Sequence, residues 1–205
     1  NVLSRNTYIA MRSKNPALNN EKLFIPSADL RLGDIQRLSR LEQEYLLNWQ
    51  VDWKSTNPSA TLQILFSLNM KEVDEMAFYE CFKLLAVRLP NCTTINKKAF
   101  YFCHQLQHFD APHTKKIGSE AFNQCFRVSE YTFDEALEIE QSAFYYNASL
   151  QKIHINKLNT LNESTFRSCW SLRYVFAENL ERLNGEITDA NFKVYYVGSK
   201  LARDI

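Results

Sequence analysis

The sequence reads IGSEAFNQC at residues 117–125, and the Ala-Phe pair inside this stretch returns along the chain at a constant spacing. The phenylalanines of successive pairs are 22 residues apart, at Phe78, Phe100, Phe122, Phe144 and Phe166. Alanine precedes each of them except the last, which follows a threonine. A period of roughly 20–50 residues is typical of solenoids, in which each repeat forms one coil and packs against the next. The spacing therefore predicts a repeat solenoid.

Apolar residues occupy fixed positions of this 22-residue unit. Six units begin at Leu62, Leu84, Leu106, Val128, Leu150 and Leu172, and a partial seventh begins at Val194. Positions four and twelve are large and apolar in every unit, and position six is mostly so. Because positions four and six share one face of an extended chain, the pattern predicts a short strand at the start of each unit. The Ala-Phe pair predicts a tight helical turn on the opposite side.

The stretch at 117–125 resembles the signature of Treponema-type, or BspA-like, leucine-rich repeats. Their consensus is similar to Leu-x-x-Ile-x-Ile-Pro, then Val-x-x-Ile-Gly, then Ala-Phe-x-x-Cys, and the match covers residues 62–205. The resemblance implies a right-handed (α+β) solenoid with a parallel β-sheet on its concave face. It also implies binding to host or matrix proteins at a cell surface. The sixth unit departs from the consensus, with Ile187-Thr188 in place of Ala-Phe, and we expect a distorted solenoid near the C-terminal end.

Residues 1–60 do not follow the period, which divides the chain into an N-terminal segment and a repeat domain at 61–205. From Asp34 to about Trp53 the apolar residues follow helical spacing, and Asp34 is a suitable N-cap. We therefore expect a helical N-terminal cap that covers the open end of the first coil. The alternative is that Tyr45, Trp49 and Trp53 form part of a partner-binding face.

Composition narrows the class of function. The 24 basic and 23 acidic residues nearly cancel, so neither nucleic acid nor an anionic membrane is favoured as a partner. No stretch approaches the roughly 18 apolar residues that insert into a membrane. The five cysteines include no C-x-x-C pair, and four of them recur at position twenty, where we interpret them as packed side chains rather than metal ligands. No catalytic motif is present, so we predict neither enzymatic activity nor a cofactor.

Positions three and five are expected to point outward from the predicted sheet. Their residues vary from unit to unit and include aromatic and charged side chains, which protein recognition surfaces favour. The candidate binding residues are Arg88, His108, Asp110, His154, Tyr174 and Phe176. The alternative is that this face is only solvated and that a partner binds the convex side or the cap.

The favoured function is therefore non-enzymatic protein binding by a cell-surface recognition or adhesin-like protein. The runner-up is an intracellular scaffold or structural component of a larger assembly, which the free cysteines favour. An open solenoid end also makes end-to-end self-association possible. Localisation stays open between these two hypotheses.

Overall fold

The structure is a computed structural model that describes residues 64–66, 70–189 and 193–201. The helical cap predicted for residues 1–60, including the amphipathic helix that begins at Asp34, lies outside the described residues. We number the coils by the units above, so that the fourth coil spans residues 128–149.

Within the described ranges each complete coil contributes a three-residue strand and then a two-residue strand. The longer strands are β1 (Ile64–Phe66), β3 (Ala86–Arg88), β5 (His108–Asp110), β7 (Glu130–Thr132), β9 (Lys152–His154), β11 (Tyr174–Phe176) and β13 (Tyr195–Val197). The shorter strands are β2 (Glu72–Val73), β4 (Thr94–Ile95), β6 (Lys116–Ile117), β8 (Glu138–Ile139), β10 (Thr160–Leu161) and β12 (Arg182–Leu183). All pairings are parallel, and each set of strands pairs only with itself. The odd-numbered strands form the predicted sheet, called the first sheet below; the second sheet was not predicted.

The strand register reproduces the 22-residue period as far as β11, and then changes. Val87 lies beside Phe109, for example, but Val175 lies beside Tyr196, which is 21 residues further on. A shift of one residue moves every side chain of a strand to the opposite face. Tyr196 therefore points into the core, where burial raises its pKa, while Val197 is 40% exposed. Val197 is at position four of its unit, where the 22-residue period predicts an inward side chain, and that prediction is wrong because Tyr196 takes the place beside Val175.

The core consists of columns of side chains that run through successive coils. The column of position-seventeen phenylalanines is fully enclosed, with neighbouring ring centroids 5.1–5.7 Å apart. The apolar residues at positions one and six are buried from the second to the sixth coil, and Val194 at position one of the seventh is partly buried. A further column at position nine, not identified from the sequence, contains Cys92, Thr114, Ala136, Leu158 and Leu180. Stacking thus buries apolar area that a single coil would leave exposed.

The prediction of a helical turn at Ala-Phe is wrong. The described residues contain strands and turns but no helix, so for them the helical part of the (α+β) class is wrong as well. The segment contains two successive turns, closed by bonds such as those from Tyr101 N to Lys98 O (3.2 Å) and from Cys103 N to Phe100 O (3.3 Å). Positions fifteen and nineteen have positive φ in five successive coils, as at Lys98 (55°) and Phe102 (61°). Phe100 N also donates to Ala121 O of the next coil (2.8 Å), so this segment forms a third ladder of hydrogen bonds between coils.

The two sheets are both interrupted beside the fourth coil. The first sheet divides between β5 and β7, and the second divides between β8 and β10. At the second break, the Asn162 side-chain amide donates to Ile139 O at 2.7 Å. In the preceding coils the corresponding carbonyl accepts a backbone N–H instead, as Ile117 O does from Glu140 N (2.9 Å).

Candidate protein-binding surface

The outward face of the first sheet carries the six candidate binding residues. In β9 and β11 the middle residue is buried and the two flanking residues are partly or fully exposed. This alternation is the one expected of a sheet that covers a core on one side. The six side chains nevertheless fall into two groups, which lie on different segments of the divided sheet.

The first group is polar and lies on β3 and β5. Arg88 and Asp110 are register partners, and their side chains form an ion pair with Nε and Oδ2 3.4 Å apart. Arg88 Nη1 is buried and has no hydrogen-bond partner among the described residues. His108 is exposed on the same strand as Asp110. Because the charges of Arg88 and Asp110 largely neutralise each other, this group offers little uncompensated charge to a partner.

The second group is aromatic and lies on β9, β11 and β13. The rings of His154 and Phe176 are nearly parallel, with centroids 4.4 Å apart and an interplanar angle of 10°. Tyr174 lies 6.3 Å from Phe176 and 5.9 Å from Tyr195, measured between centroids. Both tyrosines are about half exposed, at 48% and 49%. We call these four residues the aromatic patch.

Charged side chains surround the aromatic patch. The Glu130 carboxylate lies 2.8 Å from Lys152 Nζ and 3.2 Å from His154 Nε2, and so connects the patch to the fourth coil. Lys193 Nζ lies 5.3 Å from the centroid of the Tyr195 ring, within the range of a cation–π interaction. The patch is therefore an apolar centre with a polar rim, which is the usual composition of a protein interface.

Sequence reasoning missed Tyr195 as a member of this surface. It placed Tyr196 at position three, because a constant period puts it there, whereas the 21-residue spacing puts Tyr195 at that position. Two consecutive tyrosines satisfy either register, so the sequence contains no signal that separates the two. Glu130 and Lys152 are at position three of their units, which was expected to point outward, but their contacts with the patch depend on side-chain conformations that spacing does not determine.

A second row of aromatic side chains runs along the turns that follow the Ala-Phe pairs. Neighbouring rings are 4.7–5.5 Å apart along the series Phe82, His104, Phe126, Tyr146 and Trp170. The His104 ring lies between two phenylalanines, and burial lowers its pKa, opposed by the negative charge of Glu80. The two ends of the row are each 43% exposed, and the residues between them are half-buried. If a partner binds away from the first sheet, as in the alternative hypothesis, this aromatic row is the candidate contact surface.

Three of the four cysteines at position twenty, Cys103, Cys125 and Cys169, donate hydrogen bonds to backbone carbonyls of the preceding coil. Cys125 Sγ donates to Phe100 O at 3.3 Å, and Cys169 Sγ donates to Phe144 O at 3.0 Å. Where the fourth coil has Asn147 in this column, its amide nitrogen donates to Phe122 O at 2.7 Å. Burial raises the pKa of the Cys125 and Cys169 thiols to about 12, which suppresses the thiolate form that nucleophiles and metal ligands require.

No grouping of histidine, cysteine and acidic side chains in the described ranges is suited to hold a metal ion. The same ranges contain no helix with the length and apolar character that crossing a membrane requires.

Comparison with solved structures identifies the fold. A leucine-rich repeat protein from Bacteroides ovatus is similar, with a TM-score of 0.55 and 21% sequence identity over 74% of this chain and 45% of that protein. A T. pallidum leucine rich repeat protein gives a TM-score of 0.38 and 20% identity, covering 66% of this chain and 67% of its own. A leucine rich cell surface protein from Faecalibacterium prausnitzii gives 0.27 and 14%, covering 61% and 57%. This chain thus spans less than half the length of the Bacteroides protein.

No curated protein matches the chain. The model of BspA type leucine rich repeat regions, however, matches residues 64–193 in six copies, which is more than half of the 205 residues. Proteins of this family are generally repeat modules that bind other proteins, rather than enzymes. The chain therefore belongs to the family of BspA type leucine-rich repeat proteins.

Proposed function

We propose that this chain is a non-enzymatic protein-binding module and that its recognition surface is the aromatic patch on the first sheet. The observation that carries the proposal is the contact of His154, Tyr174, Phe176 and Tyr195 on adjacent strands, with both tyrosines half exposed. Strands hold these rings in place before a partner arrives, which reduces the conformational entropy lost on binding. Tyrosine, in addition, is enriched among the residues that contribute most to interface affinity.

A protein is a better fit than a nucleic acid for this surface. The net charge of +1 provides no broad positive field, and Glu130 lies directly beside the patch. Nucleic acids bind chiefly through their phosphates, which require a row of uncompensated lysines and arginines. The Arg88–Asp110 pair belongs to the proposed surface only as a polar flank, together with His108.

The proposed setting is a cell surface, as the family resemblance implies. An intracellular scaffold is the second candidate, and the observation that favours it is that all five cysteines are free thiols. Antibody labelling of intact and permeabilised source cells separates the two. Labelling of intact cells is expected; labelling only after permeabilisation would favour the scaffold.

Replacement of the aromatic patch tests the binding function. We expect Tyr174→Ala/Phe176→Ala to lose the proteins that the unmodified chain retains in an affinity pulldown from its source cell and from extracellular material. The matched control is Tyr79→Ala/Tyr101→Ala, which removes a stacked pair (centroids 5.1 Å apart) outside the first sheet. Circular dichroism and thermal melting must show that both variants fold. Loss of binding in the control alone would transfer the site to the turn side of the solenoid.

A further inference from the structure

A cleft of about 410 Å³ lies at the edge of the aromatic patch, between the fifth and sixth coils. The residues that line it are Gln151, Lys152, Ser171, Arg173 and Tyr174. Every one of these side chains carries a hydrogen-bond donor, and none is a carboxylate. Such a lining is complementary to an anionic group, and Tyr174 belongs both to the cleft and to the patch.

Arg173 is the main source of positive charge in the cleft. Its Nη1 donates to Trp170 O at 3.1 Å and to Leu172 O at 3.0 Å, which fixes the guanidinium in place. Within the described part of the chain, Arg173 forms no ion pair with a carboxylate. Its remaining N–H groups can therefore donate to a ligand, and because the guanidinium is already oriented, little side-chain entropy is lost when they do.

Lys152 contributes less charge, because the Glu130 carboxylate lies 2.8 Å from its ammonium group. The two cations that line the cleft and the one carboxylate that forms an ion pair with Lys152 together have a formal charge of +1. This charge balances the single negative charge of an aspartate or glutamate side chain. A phosphate group, with a charge of about −1.5 to −2, would remain partly uncompensated.

We propose that this cleft binds an aspartate or glutamate carboxylate from an acidic segment of the partner protein, while the adjacent aromatic patch binds an apolar side chain of the same segment. This inference rests on the proposed function and specifies the chemistry of the partner. Arg173 and Lys152 provide charge-assisted hydrogen bonds to the carboxylate. Tyr174 and Phe176 provide the apolar contact next to it.

A random peptide display library, selected on the unmodified chain, is the first test. The expected binders share an aspartate or glutamate close to an aromatic or aliphatic residue. One binder is then labelled for fluorescence polarisation, together with a version in which each acidic residue is replaced by its amide. We expect Arg173→Gln to weaken the affinity for the acidic peptide about tenfold and to leave the affinity for the amide version nearly unchanged, because only the acidic peptide makes a charge-assisted hydrogen bond. Arg182→Gln, which removes an exposed arginine from the second sheet, is the matched control and should change neither affinity.

The outcomes separate this inference from the proposed function. Two results would overturn the carboxylate site and leave the proposal of the aromatic patch intact. In the first, the selected peptides depend on Phe176 and yet show no preference for acidic residues; in the second, they keep that preference with Arg173→Gln. A phosphoserine version that binds much more tightly than the acidic peptide would overturn the choice of carboxylate. If Phe176→Ser weakens none of the binders, the proposed function itself fails, and the carboxylate site fails with it.

Discussion

Because Tyr131 and Asn147 share a hydrogen bond, the effect of replacing one of them on the free energy of unfolding should depend on the other. Tyr131 occupies the position-four column and is fully buried, and its hydroxyl donates to Asn147 Oδ1 at 3.2 Å. Asn147 in turn donates to Phe122 O at 2.7 Å and to Phe144 O at 3.0 Å. The first, second, third and fifth coils place cysteine at the asparagine's position, and the position-four residues of those four coils carry no hydroxyl.

The magnitude follows from counting these bonds. Asn147→Ala removes two hydrogen bonds to carbonyls, at about 1 kcal/mol each, and leaves the buried Tyr131 hydroxyl with only the weakly accepting Cys125 thiol beside it, at about 1–3 kcal/mol. We therefore expect the variant to lose about 3–5 kcal/mol of unfolding free energy. Asn147→Cys should lose less, because the thiol can donate to Phe122 O as Cys125 does to the preceding coil. Combining Asn147→Cys with Tyr131→Phe removes the stranded hydroxyl, and a favourable coupling of about 1–2 kcal/mol should appear.

Urea unfolding followed by circular dichroism measures the four states of this cycle. Tyr145→Phe is the control, since it removes a hydroxyl that is only half-buried, and it should change the unfolding free energy by less than about 0.5 kcal/mol. If the effects of Asn147→Cys and Tyr131→Phe simply add, the reasoning is refuted, because the two side chains would then not depend on each other.

Three further predictions concern backbone strain, pH and thiol reactivity. Ser142→Gly should raise the unfolding free energy by up to about 1 kcal/mol, because Ser142 has a φ of 56°, whereas Ser149→Gly at an ordinary φ should lower it in the same urea assay. His104→Phe should stabilise the fold increasingly as pH falls from 7.5 to 5.5. Burial lowers the pKa of His104 in the native protein, so the unfolded chain binds the proton at a higher pH. The native protein therefore loses stability as the pH falls below the pKa that His104 has in the unfolded chain. Thermal melting of both proteins across this pH range measures the difference in stability between them. All five buried thiols should resist iodoacetamide at pH 8 until urea is added, and rapid labelling of Cys125 in native protein, detected by mass spectrometry, would contradict its burial.

The sequence was sufficient to predict the solenoid, because large apolar residues recur in several columns and each column reports the same period. It could not predict the second sheet, since strands of two residues are too short to show a two-residue alternation. The turns after the Ala-Phe pairs were misread as helical for a related reason. Their left-handed positions hold residues such as Lys98 and Phe102, rather than the glycine or asparagine that normally marks positive φ.

The candidate site was predictable only in part. Alternation along a strand identified which side chains face outward, and three of the six candidates, His154, Tyr174 and Phe176, do contact one another or a shared neighbour. Spacing could not show that Arg88 and Asp110 neutralise each other, since that depends on side-chain conformation. It also could not show that the two groups lie on separate segments of the first sheet.

That separation lies between the third and fourth coils, where two large rings follow each other in the core. The position-four column contains Phe109 followed by Tyr131, with ring centroids 6.2 Å apart, whereas parallel strands in one sheet lie about 4.8 Å apart. β5 does not pair with β7 there, although the third ladder remains continuous, as in the bond from Phe122 N to Ala143 O (2.8 Å). The aromatic patch consequently lies on a four-stranded segment of its own, and a partner can bind it without contacting the Arg88–Asp110 pair.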